Sequence, residues 1–438
     1  MAEYWQWAVY VAPLVFLWWW FHRRAKTRHV ASLEVLEEAR EAGLTEPVSL
    51  HPVIDPNKCL GCGACVRACP EQPEHTVLGL VQGKAQLISP TDCIGHGACK
   101  IACPLDAIDL VFGTETRGVT IPVVSPTFET SVPGIYIAGE LGGMGLIKNA
   151  LTQGRQAVEA IHRLRKNPHA KVADLIVIGA GPAGFGAALT ATSLKMKYLV
   201  LEQESLGGCV FQYPRGKLVM TQPAELPIVG RIKITTTSKE DLLSFWQETE
   251  RKVRMPIRYQ EHVKSVEQTP RKTFIITTSK TRYETNSVLL AIGRRGTPRK
   301  LGVPGEDLPK VVYRLVDPDQ YKGQRVVVVG GGDSALEAAA SIAEINDKPV
   351  ILSYRGDAFQ RAKQKNRQRV AAAEQNKQLT VLLKSNVRSI EADTVVIEHN
   401  SKLLKVGNDA VIVNAGGVLP NDFLKSMGVA VETKYGTA

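Results

Sequence analysis

Seven of the eight cysteines of this 438-residue chain lie between Cys59 and Cys103. Cys59-x2-Cys62-x2-Cys65-x3-Cys69-Pro70 is followed by Cys93-x2-His96-x2-Cys99-x3-Cys103-Pro104. Eight cysteines in a chain this long are too sparse for a disulfide-stapled secreted scaffold, and seven crowded together are too dense for chance. Such short spacing gathers several thiolates, so the block reads as metal or cluster ligation in a reducing compartment. A zinc site would use paired Cys-x2-Cys motifs across a long gap, whereas here two tandem runs each end in Cys-Pro. Iron–sulfur ligation is the expected chemistry. Gly61 and Gly63 leave room for backbone N–H groups to approach the sulfurs.

A second chemistry is written in glycine. Residues 174–184 read DLIVIGAGPAG, an apolar run leading into Gly179-x-Gly181-x-x-Gly184. The stretch KYLVLEQ then ends a second strand at Glu202. This is a complete strand–turn–helix–strand pattern for a dinucleotide. The glycines allow a tight turn and close approach of a pyrophosphate, and the acid takes a ribose hydroxyl. Residues 325–335, RVVVVGGGDSA, repeat it as Gly330-x-Gly332-x-x-Ala335, with a strand at Val350–Tyr354 to follow. Two patterns imply two dinucleotides, one flavin and one nicotinamide. The second one's closing strand has no acid at its tip but gives Arg355, with Arg361 and Lys363 close behind. That favours NADPH over NADH.

The surrounding elements divide the chain. Residues 4–21, YWQWAVYVAPLVFLWWWF, carry no charge, and five of the six tryptophans fall within the first twenty residues. Eighteen helical residues span roughly 27 Å, near a bilayer core of about 30 Å. Arg23, Arg24, Lys26 and Arg28 follow. The expectation is a single-pass inner-membrane anchor over residues 1–30, with the N-terminus outside and the remainder in the cytoplasm. A polar linker helix, read as a solvated spacer, is expected within 31–50. A cysteine domain over 51–116, a closing segment over 117–170 and dinucleotide domains over 171–300 and 301–417 come next. Residues 418–438 are expected to return to the first dinucleotide domain.

The cysteine block resembles the bacterial two-cluster ferredoxin domain. That resemblance implies that Cys59, Cys62, Cys65 and Cys103 hold one cluster, and that Cys93, Cys99 and Cys69 hold the other. His96 stands where that family has cysteine. The expected outcome is a histidine-ligated [4Fe–4S] cluster. A [3Fe–4S] cluster, or another ligand on the fourth iron, are the alternatives. Exchanging thiolate for neutral imidazole removes one negative charge and raises the reduction potential.

Residues 172–438 resemble the thioredoxin-reductase-like flavoproteins, through GAGPAG at 179–184, LAIG at 290–293, VPGED at 303–307, GGGDSA at 330–335 and VNAGG at 413–417. The resemblance implies an α/β fold of two Rossmann-like dinucleotide-binding domains. FAD would lie at 179–184 and Glu202, and NAD(P)H at 330–335. Such flavoproteins close with a strand and helix that meet the flavin. Here the chain ends at KYGTA, while TSVPGIYIAGE occupies 130–140, so Gly139 and Glu140 are the expected flavin contacts and the fold reads as a circular permutation. Glu140 departs from the family's Asp.

Thioredoxin reductases also carry a Cys-x-x-Cys ahead of the second glycine motif, where this chain reads VVYRLVDPDQYKGQ. GGCVFQYP at 207–214 resembles the bacillithiol-disulfide reductases, but those carry a cysteine where this chain has Ala183. Cys209 is the one thiol left for disulfide chemistry. The expected function is therefore electron transfer between NAD(P)H, FAD and two clusters, to or from an external carrier. That carrier is a redox protein or a quinone-linked membrane partner, and a second copy of the chain is a further candidate partner. The alternatives are an electron-wiring subunit of a larger membrane complex and a disulfide reductase using Cys209. The net charge of +11 comes without an aromatic-interleaved basic patch or a helix-turn-helix signal, so nucleic-acid binding is not expected.

Overall fold

The computed structural model describes every residue except 1–2, 42–46, 48–49, 72–75, 94, 96, 115–117, 144, 165–171, 221–223, 233–235, 295, 360–361 and 437–438. Two expected site residues, His96 and Arg361, thus lie outside the described residues. The chain forms two compact units, Met1–Gly118 with Tyr435–Ala438, and Val119–Lys434. The division falls two residues beyond the 116/117 boundary read from sequence. The strand Val119–Pro122 pairs antiparallel with Val431–Lys434, which draws it into the larger unit.

The smaller unit opens with one helix, Glu3–Glu41, of 39 residues. It was expected in two pieces, but no glycine or proline follows Pro13 to break it. The membrane expectation fails here. Among the described residues, no helix is long and apolar enough to cross a membrane, so neither the span, its orientation nor the inner-membrane location stands. Residues 4–21 owe much of their apolar look to Trp and Tyr, and include Gln6 and Pro13. Rings with a polar edge favour interfaces over hydrocarbon. The guanidinium groups of Arg23 and Arg24 lie over the rings of Trp19 and Trp20, 5.1 and 4.8 Å from the centroids.

The expected solvated spacer is also corrected. The later turns of this helix pack on the hairpin Leu78–Val81/Lys84–Leu87. The Leu80 N–H donates to Ser32 Oγ at 3.3 Å, the Gln82 N–H donates to His29 Nδ1 at 3.2 Å, and Ser32 and Ala39 are buried. The remainder of the unit pairs the strand His51–Ile54 antiparallel with Ile108–Val111, and adds short helices Ala64–Ala68 and Ala98–Ile101. Its core holds Cys59, Cys65, Cys69, Cys93 and Cys99 beside Val77, Leu78, Ala85, Ala107 and Ile108. Half of a small core made of cysteine points to bound inorganic matter as part of the fold.

The larger unit holds two parallel five-stranded sheets. In the first, the order is Ile257–Arg258, Tyr198–Leu201, Leu175–Ile178, Val288–Leu290, Ile135–Ile137. Leu175–Ile178 is buried throughout, as a strand covered on both faces must be. The segment read as a closing element therefore extends this sheet, although it lies upstream in sequence. Its helix, Ile147–Leu164, packs backbone to backbone on Pro182–Ser193: a Cβ on Gly154 would fall 2.0 Å from the Ala183 carbonyl oxygen. The second sheet runs Val311–Val312, Ala410–Val413, Val326–Val329, Val350–Ser353, Leu379–Leu382. Each sheet is accompanied by a three-stranded antiparallel sheet, Val263–Thr285 and Ser385–Gly407.

Glu306 of the VPGED segment is buried and ties this region together. Its carboxylate accepts from the Leu301 N–H, from the Gly302 N–H at 2.8 Å and from the Tyr313 hydroxyl at 2.8 Å. Burial alone would raise its pKa, but these donors outweigh burial and hold the group below the usual carboxylate range. A carboxyl depressed on folding stabilises above its unfolded pKa, and that contribution is lost as pH falls through its folded value. Urea unfolding between pH 7 and pH 3 should therefore show a smaller acid loss in Glu306→Gln than in the parent. Equal losses would contradict this assignment.

Candidate functional site

Seven cysteines surround two hollows. Cys59, Cys62, Cys65 and Cys103 line one, together with Ile54, Ala107 and Ile108, and its volume is ≈ 350 Å³ including its mouth. Cys69, Cys93 and Cys99 line the other, ≈ 300 Å³, with Glu71 and Leu110. The last cysteine of each run thus serves the opposite hollow, the crossed partition that the resemblance implied. Among the described residues, no three His, Cys, Asp or Glu converge to hold one metal ion. A cuboidal cluster instead meets one thiolate at each iron, so its ligands are spread around a hollow. Four thiolates around one apolar hollow, and three around the other, fit two such clusters.

Backbone donors already face the first hollow. Cys59 Sγ accepts from the Gly61 and Ala85 N–H groups, each at 3.4 Å, and Cys103 Sγ accepts from the Ala107 N–H at 3.3 Å. Gly61 has φ +68°, and a Cβ there would fall 1.9 Å from the Gly83 carbonyl oxygen, so only glycine lets the hairpin close over this site. Burial pushes the Cys65 and Cys93 thiols up to about 11. These sulfurs remain protonated until a cation replaces the proton. Cys62 is exposed, and Leu60 beside it is 75% exposed, so the first hollow opens to the surface.

The glycine motifs share one logic. Gly179 has φ +102°, and a Cβ on it would meet the Ala291 carbonyl oxygen at 2.6 Å, so the turn itself demands glycine. Gly181 has extended backbone, and its nearest neighbour would be Gly208 Cα at 3.8 Å. The protein leaves space there, at the start of the helix Pro182–Ser193, whose first N–H groups lack intrahelical partners. An anion fits that cradle, and a Cβ would fill it. Gly184 packs against the Gly179 carbonyl oxygen. The second motif repeats the scheme: Gly330 has φ +145° and would meet Asn414 O at 2.3 Å, nothing lies within 4 Å of a Cβ on Gly332, and Ala335 is buried. The residues present fit two dinucleotide pyrophosphates.

Glu202 is buried and accepts two backbone donors, the Ala180 N–H at 2.7 Å and the Glu204 N–H at 2.8 Å. Burial raises its pKa. It braces the glycine turn, and each carboxylate oxygen keeps capacity for a further donor. The Gly139 N–H donates to Gln153 Oε1 at 2.8 Å, and a Cβ on Gly139 would meet Ala183 Cβ at 3.0 Å. The structure thus brings Gly139 to the first glycine motif. Glu140 begins a single 3-10 turn, and Arg294, whose pKa burial lowers, feels its charge. Arg355 is exposed just past the strand Val350–Ser353, while Tyr354 presses its ring on Gly331 and Gly356 and stacks on Phe359 with centroids 5.6 Å apart.

Sequence reasoning missed Glu71, Arg294, Gln153 and Tyr354. No motif marks them. Glu71 alone left a hint, lying two residues beyond a cluster cysteine.

Residues 176–437 match the family model described as pyridine nucleotide-disulphide oxidoreductase, and residues 51–104 match a 4Fe-4S dicluster domain. The ferredoxin–NADP reductase of Ignicoccus hospitalis is 32% identical over 60% of this chain and 83% of that protein. The bacilliredoxin reductase Bdr of Bacillus subtilis is 28% identical over 60% of this chain and 82% of that protein. The solved bacillithiol disulfide reductase Bdr of Staphylococcus aureus, 25% identical, superposes with a TM-score of 0.52 over 60% of this chain and 85% of that chain. Cradle, cluster hollows and matches agree: the chain belongs to the pyridine nucleotide-disulphide oxidoreductase family, carries a 4Fe-4S dicluster domain ahead of it, and is an FAD-dependent oxidoreductase.

Proposed function

We propose that this chain exchanges electrons between NAD(P)H and an external one-electron carrier through FAD and both clusters. The observation that carries this reading is the pair of cysteine-lined hollows encoded in one chain with the Gly181 cradle. FAD, when bound, accepts an electron pair from a nicotinamide and releases electrons one at a time. The protein's part is binding and placement. Gly181 and the helix behind it receive the flavin pyrophosphate, Glu202 fixes the turn and offers an acceptor to the ribose, and Gly139 and Glu140 approach the flavin from the upstream segment. Gly332 receives the nicotinamide pyrophosphate. The Arg355 charge, unopposed by an acid at the strand tip, favours NADPH.

We read the pairing of Ile135–Ile137 with Val288–Leu290 as the mark of a circular permutation. It makes the chain run directly from Cys103 to the Gly139 contact, which shortens the covalent path between clusters and flavin. His96 is the proposed fourth ligand of the second cluster. The exposed Cys62 and Leu60 make the first cluster the proposed point of exchange with a redox protein.

The relatives named for disulfide reduction supply the competing reading. Cys209 packs, partly buried, against the core of the first sheet. A packed lone cysteine has no second thiol to close a disulfide. Cys209→Ser should retain NADPH oxidation with ferricyanide or a ferredoxin as acceptor. Neither parent nor variant should reduce a small disulfide. Loss of activity confined to disulfide acceptors in Cys209→Ser would overturn the reading.

A further inference from the structure

The two hollows differ in charge as well as in sulfur count. The first is lined by four cysteines and by no acid. The second is lined by three cysteines and by Glu71, whose negative charge is among those felt by Cys93. Glu71 follows Cys69-Pro70, so the turn that brings a cysteine to the second hollow also brings Glu71 to its lining. For Cys65 in the first hollow, the negative charges that push its thiol up come from other cysteines.

We infer that Glu71 is the potential-setting residue of the second cluster: it lines that hollow, its charge reaches Cys93, and it offsets, from the wall, the negative charge missing from a ligand set of three cysteines. The inference rests on the cluster reading above. A charge on the wall acts through space and is partly screened, whereas a thiolate bonds to iron. Glu71 therefore restores part of the lost charge, and the second cluster's potential lies below that of the same site without it. Because Glu71 lines only the second hollow, the first cluster keeps its potential when Glu71 changes. Glu71 is thus a positioning and tuning group, and the chemistry stays with the metal.

The test is an EPR-monitored redox titration of the reconstituted full chain, comparing the parent with Glu71→Gln and Glu71→Asp. Gln keeps the size and removes the charge, and Asp keeps the charge. The expected result is an upward shift of one midpoint in Glu71→Gln, with the other midpoint fixed, and a return toward the parent value in Glu71→Asp. Two signals with unmoved midpoints in Glu71→Gln would overturn this inference and leave the cluster reading intact. Equal shifts of both midpoints would overturn it too. A parent chain with no iron–sulfur signal after dithionite would overturn the cluster reading and this inference together.

Discussion

Gly181→Val should purify without flavin while folding as well as the parent apoprotein. The two halves of that outcome have separate causes. Gly181 has φ −73° and ψ −172°, backbone that a β-branched residue adopts readily. Its Cβ would meet one protein atom, Gly208 Cα, at an ordinary contact distance of 3.8 Å. The protein itself therefore leaves room for a Cβ there. What it displaces is the pyrophosphate, together with the hydrogen bonds from the helix start. A loss of at least about 100-fold in FAD affinity, ~2.7 kcal/mol, is expected. Flavin absorbance after gel filtration and thermal unfolding of the apoprotein read the two halves. Gly179→Val supplies the contrast. Its positive φ and the 2.6 Å approach to Ala291 O mean that it should lose the fold itself. Full flavin occupancy in Gly181→Val would refute the cradle. Gly332→Val should likewise retain FAD but lose flavin reduction by NADPH.

The second large effect is expected at the clusters. Cys65→Ala removes a buried ligand from the first hollow, whose lining offers three other cysteines and neither a fifth nor a carboxylate. Electron delivery to a ferredoxin should fall by at least two orders of magnitude, ~2.7 kcal/mol in barrier. Flavin reduction by NADPH in stopped flow should persist, because the glycine cradles belong to the other compact unit. The cysteine-rich core implies a structural cost as well, so the smaller unit should become protease-sensitive in this variant. Undiminished reduction of ferredoxin by Cys65→Ala would remove the first cluster from the electron path.

Much of this site was legible in the sequence because its chemistry depends on spacing. One and two residues between successive glycines fix a turn, and two or three between cysteines mark the cluster ligands, while the resemblance to two-cluster ferredoxins supplied which thiolates share a hollow. Strand and helix around Gly179 and Gly330 followed from apolar runs that must be buried on both faces. That Ile135–Ile137 belongs with the first dinucleotide domain was read from TSVPGIYIAGE, whereas its place beside Val288–Leu290 was not, because that contact spans much of the chain. The N-terminal helix was misjudged because tryptophan counted as hydrocarbon. Its later turns were misjudged because a polar pattern concealed two hydrogen bonds, to Ser32 and His29, made by a distant hairpin. Arg294 was invisible, and Glu71 no more than hinted at by Cys69 two residues before it, because their meaning comes from tertiary neighbours. The joining of Lys217 to Glu337, an ion pair at 2.5 Å, is of the same kind: neither residue has a partner until the fold brings residues 120 apart together.

The account stands on electrons passing between nicotinamide, flavin and clusters within this one chain. The direct measurement is an anaerobic experiment run in both directions, with flavin absorbance and EPR followed together. NADPH is added to oxidised protein, and NADP+ is added to protein reduced by dithionite and freed of excess reductant. One direction is downhill whatever the cluster potentials. The account predicts that cluster signals grow in after flavin bleaching in the first case, or disappear as NADPH absorbance rises in the second. Clusters that dithionite reduces but that exchange nothing with either nucleotide, in a protein whose flavin NADPH bleaches, would contradict it.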